Sequence, residues 1–393
     1  MSDAKDLRPG TLCIHAGQEP EPATGAVVVP IFPTSTYAQD ALGSPRAGFE
    51  YARSKNPTRT SLETLLASLE GGAAAHAFAS GQAATAALAT AHLAAGDHVV
   101  VSRLSYGGTF RYFTKVLSGF GVTFSWVDTT DLGAVRAAIV PATRMLFVET
   151  PANPTMELSD LEALAALARE ASARLGAKVR LAVDSTFATP FFQRPLALGA
   201  DAVVHSTTKY LNGHSDSLGG AVVSATAEDG AKVAFVQNAA GAILSPFDSF
   251  LVTRGIKTLA VRMRAHDANG RAVAGLLAAH LKVKRVLYPG LPAHPQHALA
   301  SRQMSGFGGM VSLDLGSYEA AKRFLDALRL FTLAESLGGV ESLAGHPATM
   351  SHGSLSPEER AARGITDGLV RLSVGIEETA DLLADVEQAL GKV

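Results

Sequence analysis

One lysine, Lys209, stands where this sequence could place a reactive amine. It follows the apolar segment Ala202 to Val204, which predicts a short buried strand, and the hydroxyl-rich turn Ser206-Thr207-Thr208. Open α/β sheets bind ligands at the carboxyl ends of their strands. A lysine buried there, or placed near other cations, loses its proton readily and can form a Schiff base with a carbonyl group. The hydroxyls of Ser206 and Thr208 could donate hydrogen bonds to an anion such as phosphate, although a surface lysine after a strand would also explain the local pattern.

Polar side chains follow three other predicted strands. Asp184 ends the apolar segment Leu-Ala-Val-Asp, and a carboxylate buried there needs a positive partner. Asn153 follows the strand around Phe147, and Tyr106 follows a valine-rich strand, where its ring could stack on a flat ligand. Each of these could instead be a helix cap, a turn residue or a buried tyrosine. Their common position at strand ends predicts one shared site with Lys209.

The junction Ser80-Gly81-Gln82 opens an alanine-rich segment that predicts a helix. A helix N-terminus that follows a glycine offers free backbone N–H groups and the positive end of the helix dipole, which together bind phosphate. An ordinary capped helix is the other interpretation.

The elements that must position these residues predict an α/β fold. From about residue 73, strand and helix patterns alternate, which indicates a mainly parallel central sheet with helices on both faces. After Gly220 the parallel pattern fades, and a long helix is expected from Gly255 to about His280. We therefore predict a large domain over residues 61–255 and a smaller α+β C-terminal domain over residues 256–393.

The first 60 residues form the third predicted unit. Prolines and glycines interrupt any long helix there, yet the segment carries apolar and aromatic residues that need a surface to pack on. We expect this N-terminal arm to contact a neighbouring subunit.

Composition excludes several classes of function. The 393 residues are 47% hydrophobic and 18% charged, with a formal net charge of -2, so no electrostatic footprint for nucleic acid exists. No apolar run reaches the length of a membrane span, and the polar start lacks a signal-peptide core, so we expect a cytoplasmic protein that binds no membrane. The single Cys13 excludes an intramolecular disulfide and a cysteine-based zinc site, and the scattered histidines indicate no metal site.

Taken in order, these motifs resemble one family, the fold-type I pyridoxal-phosphate-dependent enzymes of cysteine and methionine metabolism, and within it the cystathionine γ-lyase and γ-synthase group. The resemblance covers nearly the whole chain. The motifs that carry it are Tyr51-Ala-Arg-Ser-Lys-Asn-Pro-Thr, Ser80-Gly-Gln, Tyr106-Gly-Gly-Thr, Glu149-Thr-Pro-Ala-Asn-Pro, Asp184-Ser-Thr, Ser206-Thr-Thr-Lys-Tyr-Leu-Asn-Gly-His, Glu335-Ser-Leu-Gly-Gly and Arg371-Leu-Ser-Val-Gly.

The resemblance implies pyridoxal 5'-phosphate as the cofactor and a role for each matching residue. Lys209 would hold the cofactor covalently and then act as the base, Asp184 would pair with its pyridine nitrogen, and Tyr106 would stack on its ring. The remaining cofactor-binding residues would be Gly81, Gln82, Thr186, Ser206 and Thr208, together with Tyr51 and Arg53 from the neighbouring subunit. The residues implied for binding the substrate's α-carboxylate are Asn153, Ser336 and Arg371. The implied assembly is a homotetramer built from two active dimers.

The resemblance also implies the reaction. We expect γ-elimination on cystathionine, the γ-lyase reaction, because the segment Ala188-Thr-Pro-Phe-Phe-Gln-Arg-Pro looks more like the lyase than the synthase. Glu335 and Arg111 would recognise the distal amine and carboxylate of cystathionine. The alternatives are cystathionine γ-synthase, then methionine γ-lyase, which tends to carry cysteine where this chain has Gly108, and a cofactor-binding fold that no longer catalyses. β-Lyases usually lack an acid at the position of Glu335.

Overall fold

The computed structural model describes residues 7–351, 353 and 356–393, which form fourteen helices and fourteen strands. The helices, in chain order, are α1 (Pro9–His15), α2 (Pro57–Glu70), α3 (Gly81–His92), α4 (Gly107–Lys115), α5 (Leu132–Ala138), α6 (Leu161–Leu175), α7 (Thr189–Phe192), α8 (Ala227–Ala240), α9 (Pro246–Ile256), α10 (Leu259–Ala279), α11 (His297–Gln303), α12 (Tyr318–Ala327), α13 (Pro357–Ala362) and α14 (Thr379–Leu390).

The strands carry the two sheets and one small hairpin. In chain order they are β1 (Gln39–Ala41), β2 (Ser44–Pro45), β3 (Ala74–Phe78), β4 (His98–Ser102), β5 (Thr123–Val127), β6 (Thr143–Glu149), β7 (Arg180–Asp184), β8 (Ala202–His205), β9 (Gly220–Ser224), β10 (Arg285–Leu287), β11 (Met310–Asp314), β12 (Thr332–Leu333), β13 (Leu343–Gly345) and β14 (Leu369–Ser373). Short 3₁₀ helices cover Arg46–Gly48, Leu117–Phe120 and Pro195–Leu198.

A seven-stranded sheet in the order β3-β9-β8-β7-β6-β4-β5 forms the centre of the molecule. Strands β4 to β8 pair in parallel, and β9 alone runs antiparallel to both of its neighbours, β3 and β8. The prediction of a mainly parallel sheet is therefore confirmed, and the fading pattern after Gly220 marks the reversed strand β9. Because helices cover both faces, most residues of the inner strands are apolar and buried, whereas the edge strand β5 is only partly buried.

The register of the parallel strands brings their carboxyl ends to one edge of the sheet. Glu149 at the end of β6 lies opposite Asp184 at the end of β7, and Asp184 lies opposite Val204 in β8. The polar residues that follow these strands therefore emerge side by side, as the sequence predicts.

Helix α2 shows how local sequence builds this core. The Asn56 side chain accepts hydrogen bonds from the first-turn N–H groups, and Gly71 ends the helix with a positive φ of 72°. One face of the helix is apolar and buried, because its four leucines are no more than 1% exposed: Leu62, Leu65, Leu66 and Leu69. Burying each such side chain contributes about 1.5–3 kcal/mol.

A five-stranded sheet in the order β10-β11-β14-β13-β12 follows in the C-terminal part of the chain. All of its pairings are antiparallel except β12 with β13. Helices α10, α12 and α14 pack on one another and on this sheet around an apolar core of their own. The domain boundaries at residues 60 and 255 stay a prediction.

The long helix expected from Gly255 to about His280 is confirmed as α10, but its expected start is wrong, because α10 begins at Leu259 and Gly255 still belongs to α9. The two helices are separated at Lys257 and Thr258. The side chain of Arg262 donates to the Gly255 carbonyl at 2.8 Å and to the Tyr210 carbonyl at 2.7 Å. These bonds satisfy a carbonyl group at the end of α9, so the break costs less.

The arm before α2 is largely irregular and partly exposed. Its short hairpin β1–β2 leaves Leu42 fully exposed, and Val27 is 76% exposed. In the part of the chain that the structure describes, no helix is both long and apolar enough to cross a membrane, and no group of three or more His, Cys, Asp or Glu side chains could hold a metal ion.

Candidate active site

A cavity of about 390 Å³ opens at the carboxyl edge of the central sheet and is closed on its other side by the C-terminal sheet. Most of the predicted site residues line it: Gly81, Gln82, Tyr106, Asn153, Asp184, Thr186, Ser206, Thr208, Lys209, Glu335, Ser336 and Arg371. The structure thus brings together residues that lie almost 300 positions apart in the sequence.

Lys209 follows β8 and points its amine into the cavity, where Nζ donates to Ser336 Oγ at 2.7 Å. Burial lowers the pKa of Lys209 to about 8, the positive charge of Arg371 acts in the same direction, and Glu335 opposes both. A lowered pKa leaves an appreciable fraction of the amine neutral near neutral pH. The side chain can therefore act as a nucleophile or as a base.

Asp184 provides a half-buried carboxylate in the same cavity. The backbone N–H and the hydroxyl of Thr186 donate to Asp184 Oδ1 at 3.0 and 2.6 Å. Burial nevertheless raises the pKa of Asp184, while these two bonds and the charge of His205 act against it. A cationic ligand atom beside the carboxylate would stabilise its ionised form.

The N-terminus of α3 also lines the cavity. Ser80 caps this helix by accepting a bond from Ala83 N at 3.0 Å. A Cβ atom at Gly81 would lie only 2.9 Å from Ser206 Cβ, so the helix end and the turn after β8 approach closely because position 81 is glycine. First-turn N–H groups and the Ser206 side chain therefore face the same space, which suits a phosphate group.

Thr208 lines the cavity, but its hydroxyl is already engaged. It donates to the Gly219 carbonyl at 3.1 Å and accepts from the Gly219 N–H at 3.0 Å. The Thr208 hydroxyl therefore ties the turn after β8 to the loop that enters β9, in addition to facing the site.

Arg371, in the middle of β14, is 6% exposed. Its Nη1 donates to Asn153 Oδ1 at 3.1 Å and its Nη2 to the Ser336 carbonyl at 2.7 Å. Within the described residues its Nε finds no hydrogen-bond partner. No ion pair to a carboxylate is formed by Arg371 within the described residues, and its guanidinium lines the cavity, where it suits a ligand carboxylate.

Ser336 joins these two cations, because its hydroxyl accepts from Lys209 and its carbonyl from Arg371. Its φ is +86°, a conformation that only glycine adopts without strain. Backbone strain of this kind persists where the surrounding structure fixes it, commonly at functional sites.

Tyr106 and Glu335 mark the open side of the cavity. Tyr106 is the N-cap residue of α4 and is 42% exposed. A Cβ atom at Gly108 would lie 2.6 Å from the Tyr106 ring carbon Cε1. Glycine at position 108 therefore leaves room for the ring in this position. Glu335 lines the cavity and is exposed to solvent.

Tyr51, Arg53 and Arg111 do not line the cavity of their own chain. The Arg53 guanidinium lies 5.5 Å from the centre of the Tyr51 ring, and its Nε donates to Asn238 Oδ1 at 3.3 Å. Arg111 is exposed on α4, and no ion pair joins it to Glu335 within the described ranges. Their roles stay predictions.

Other lining residues were missed by the sequence reasoning, and the most informative is Glu149. The remaining ones are Ser80, Pro151, Phe187, Leu218, Leu337 and Ser351. Glu149 ends an apolar strand just as Asp184 does, so the same argument about a buried carboxylate would have found it.

Comparison with known proteins identifies the family. The family model described as "Cys/Met metabolism PLP-dependent enzyme" matches residues 10–391. The chain belongs to this family. It is a pyridoxal-phosphate-dependent trans-sulfuration enzyme of fold type I, as the motifs predicted.

Relatives carry three different activity names. The chain is similar to cystathionine γ-synthase from Mycobacterium tuberculosis, with 53% identity over 98% of this chain and 97% of the relative. It is also similar to cystathionine β-lyase from Coxiella burnetii, with 52% identity over 97% of each chain. The crystal structure of cystathionine γ-lyase from Lactobacillus plantarum complexed with L-serine matches with a TM-score of 0.93 and 44% identity, over 98% of this chain and 99% of that one.

The residues present fit the family's cofactor. The cavity combines an amine of lowered pKa, a half-buried carboxylate suited to a cationic ring nitrogen, and a close-packed helix N-terminus suited to phosphate. The guanidinium of Arg371, which lines the same cavity, remains for the substrate. When bound, pyridoxal phosphate supplies an electron sink for charge that develops on the substrate.

The first prediction concerns Asp184. Replacing Asp184 by Asn keeps its shape but removes the charge that would pair with the ring nitrogen. We expect exchange of the substrate Cα hydrogen with deuterated solvent, followed by NMR, to slow by about 100-fold or more, because losing one partner of a buried ion pair costs about 3 kcal/mol. Asp326→Asn, on the exposed face of α12, serves as the control. Unchanged exchange in a cofactor-loaded Asp184→Asn enzyme would contradict the assignment.

Proposed function

We propose that the enzyme catalyses γ-elimination on cystathionine, giving cysteine, 2-oxobutanoate and ammonia. One observation carries the proposal: Lys209 Nζ and Arg371 Nη2 each donate to Ser336 at 2.7 Å, one to its hydroxyl and one to its carbonyl. A substrate whose α-carboxylate binds Arg371 therefore places its α-carbon close to the Lys209 amine.

The proposed roles follow from this arrangement. Lys209 holds the cofactor until an amino acid takes its place, and the freed amine then removes the proton on Cα. The amine would pass that proton on to the bound cofactor and, neutral again, could take a Cβ proton while the γ-sulfur leaves with the electron pair of its bond to carbon. The ammonium so formed would then protonate the departing sulfur. Arg371 and Asn153 orient the α-carboxylate throughout, and Asp184 keeps the ring nitrogen charged.

The N-terminus of α3 and the neighbouring Ser206 are proposed to hold the phosphate. Gly81 and Gln82 would offer first-turn N–H groups of α3, and Ser206 its hydroxyl, while Tyr106 covers the ring. Thr186 links the two parts of this arrangement, because its hydroxyl donates to Asp184 and accepts from the Ser206 N–H at 2.9 Å.

Cystathionine γ-synthase is the second candidate, favoured by the 53% identity to the Mycobacterium tuberculosis enzyme of that name. It needs the same residues for the same proton transfers and differs in the group that leaves and in the capture of the product by cysteine. An assay decides between the two.

The assay compares two reactions of the purified enzyme. We expect cystathionine alone to yield 2-oxobutanoate and cysteine with a larger kcat/KM than the formation of cystathionine from cysteine and an acylated homoserine. The opposite ranking would identify the enzyme as a synthase, and pyruvate with homocysteine as products would identify β-elimination.

The second prediction tests how the substrate's length is recognised. Glu335 is exposed at the cavity and directly precedes Ser336, so we propose that it binds the distal amine of cystathionine, with Arg111 available for the distal carboxylate. We expect Glu335→Ala to lower kcat/KM for cystathionine by about tenfold, equivalent to about 1.4 kcal/mol. Elimination from homocysteine, which lacks the distal groups, should change far less.

Glu335→Gln is the matched control, because it keeps the size of the side chain and removes only its charge. A loss on cystathionine with Gln as well as Ala would assign the effect to charge. Equal losses on cystathionine and homocysteine would leave Glu335 with a structural role only.

We propose further that the active unit is a dimer, paired into a homotetramer. The arm leaves Leu42 and Val27 exposed, and Tyr51 and Arg53 lie outside the cavity of their own chain. If the arm packs on a second subunit, these two side chains reach the neighbour's cofactor phosphate.

The third prediction tests that assembly with two inactive variants. An Arg53→Ala subunit keeps its Lys209, and a Lys209→Ala subunit keeps its Arg53. Mixed dimers of the two contain one intact site, so a one-to-one mixture should recover up to about a quarter of wild-type activity. No recovery after subunit exchange, verified by mass spectrometry of the mixed dimers, would show that each site is built from one chain.

A further inference from the structure

Glu149 connects two parts of the cavity that the sequence separates. It ends β6, is 7% exposed and lines the cavity. Its Oε2 accepts a hydrogen bond from Tyr106 N at 2.6 Å, and its Oε1 accepts one from Asn153 N at 3.1 Å. One carboxylate thus binds the backbone of two different loops, one through each oxygen.

Both loops carry residues of the proposed site. Tyr106 is the N-cap residue of α4 and makes no side-chain cap, and Glu149 accepts from its backbone N–H group and so helps to fix the position of its ring. Asn153 accepts the bond from Arg371 Nη1. The same carboxylate therefore holds the residue proposed to face the cofactor ring and the residue beside the carboxylate-binding arginine.

Keeping a carboxylate at this position is costly. Burial raises the pKa of Glu149 well above its usual range, and the neighbouring charge of Asp184 adds to this effect, while the two backbone N–H groups act against it. The two carboxylates are register partners on adjacent strands. Two acidic groups side by side in a cavity destabilise each other unless other interactions compensate. For Glu149 these interactions are the two hydrogen bonds from backbone N–H groups.

We propose that Glu149 is a positioning residue that holds Asn153 and Tyr106 at a set distance from each other. It thereby couples the binding of the amino acid, beside Asn153, to the position of the Tyr106 ring that covers the cofactor. The inference deepens the proposed function and rests on its assignment of Asn153 and Tyr106. Glu149 acts through these residues and does not itself exchange protons with the substrate.

The fourth prediction uses Glu149→Gln. An amide has one oxygen acceptor and one NH₂ donor, so it satisfies only one of the two N–H groups and turns its donor toward the other. Because the bond to Tyr106 is the shorter, we expect the oxygen to stay there and the Asn153 loop to be released. The dissociation constant of L-alanine, which lacks a γ-substituent, should rise about tenfold, since an unmatched buried donor costs about 1–3 kcal/mol.

The measurement is a binding titration followed by the absorption of the enzyme-bound cofactor, with cofactor retention measured separately by equilibrium dialysis. We expect retention to change less than L-alanine binding. Glu157→Gln is the matched control, because Glu157 lies in the same loop but pairs with Arg103 outside this cavity. It should leave both quantities unchanged.

A double-mutant cycle with Asn153→Ala separates positioning from general loosening. Asn153→Ala removes the side chain that contacts Arg371 but keeps the backbone N–H group. If Glu149 acts through Asn153, Glu149→Gln should weaken L-alanine binding less than about threefold in that background, because the two changes remove the same contribution. The full tenfold effect in that background, or no effect in the wild-type background, overturns the proposal.

Two further arrangements keep the test decisive. If Glu149→Gln does not fold, Glu149→Asp can replace it. Aspartate retains the charge but is too short to reach both N–H groups, so it should also weaken L-alanine binding, and unchanged binding would count against the proposal.

The binding titration does not depend on turnover. A wild-type enzyme that binds L-alanine but does not eliminate from cystathionine would refute the proposed function and leave the outcome for Glu149 to the cycle.

Discussion

Four ionisable side chains that the fold holds in one cavity determine the rest of the site. Lys209 and Arg371 are cations, Asp184 and Glu149 are carboxyl groups, and burial shifts the pKa of each toward its neutral form. Directed hydrogen bonds compensate all four, and opposite charges act on Lys209, Arg371 and Asp184, whereas the charge next to Glu149 is the like charge of Asp184. Such a site suits a zwitterionic ligand, which would supply the missing counter-charges.

The central sheet makes this arrangement possible. Strands β6, β7 and β8 are parallel neighbours in register, so Glu149, Asp184 and the turn before Lys209 come to one edge without long loops. The C-terminal sheet then adds Arg371 from β14, and Ser336 links that arginine to the lysine. The site is therefore completed only where the two sheets face each other.

A cavity whose inner residues serve several reactions explains how relatives with one scaffold carry three activity names. The roles proposed for the residues inside the cavity would support proton transfer at carbon atoms next to the substrate's amine, which γ-synthase, γ-lyase and β-lyase reactions all need. Choice among the reactions then depends on how far from the cofactor the substrate is held and what can enter beside it. In this chain the differences are expected at the open side of the cavity, around Glu335 and Tyr106.

The sequence by itself determined the family, the α/β class and most of the cavity-lining residues, because strand-end polar residues and the Lys209 motif are local patterns. It did not determine the break between α9 and α10, since the bonds from Arg262 that support it join distant segments. Nor did it assign Glu149, whose two backbone partners come from separate loops. Only the tertiary structure decided these features, because their free energy comes from contacts between segments whose approach no local pattern records.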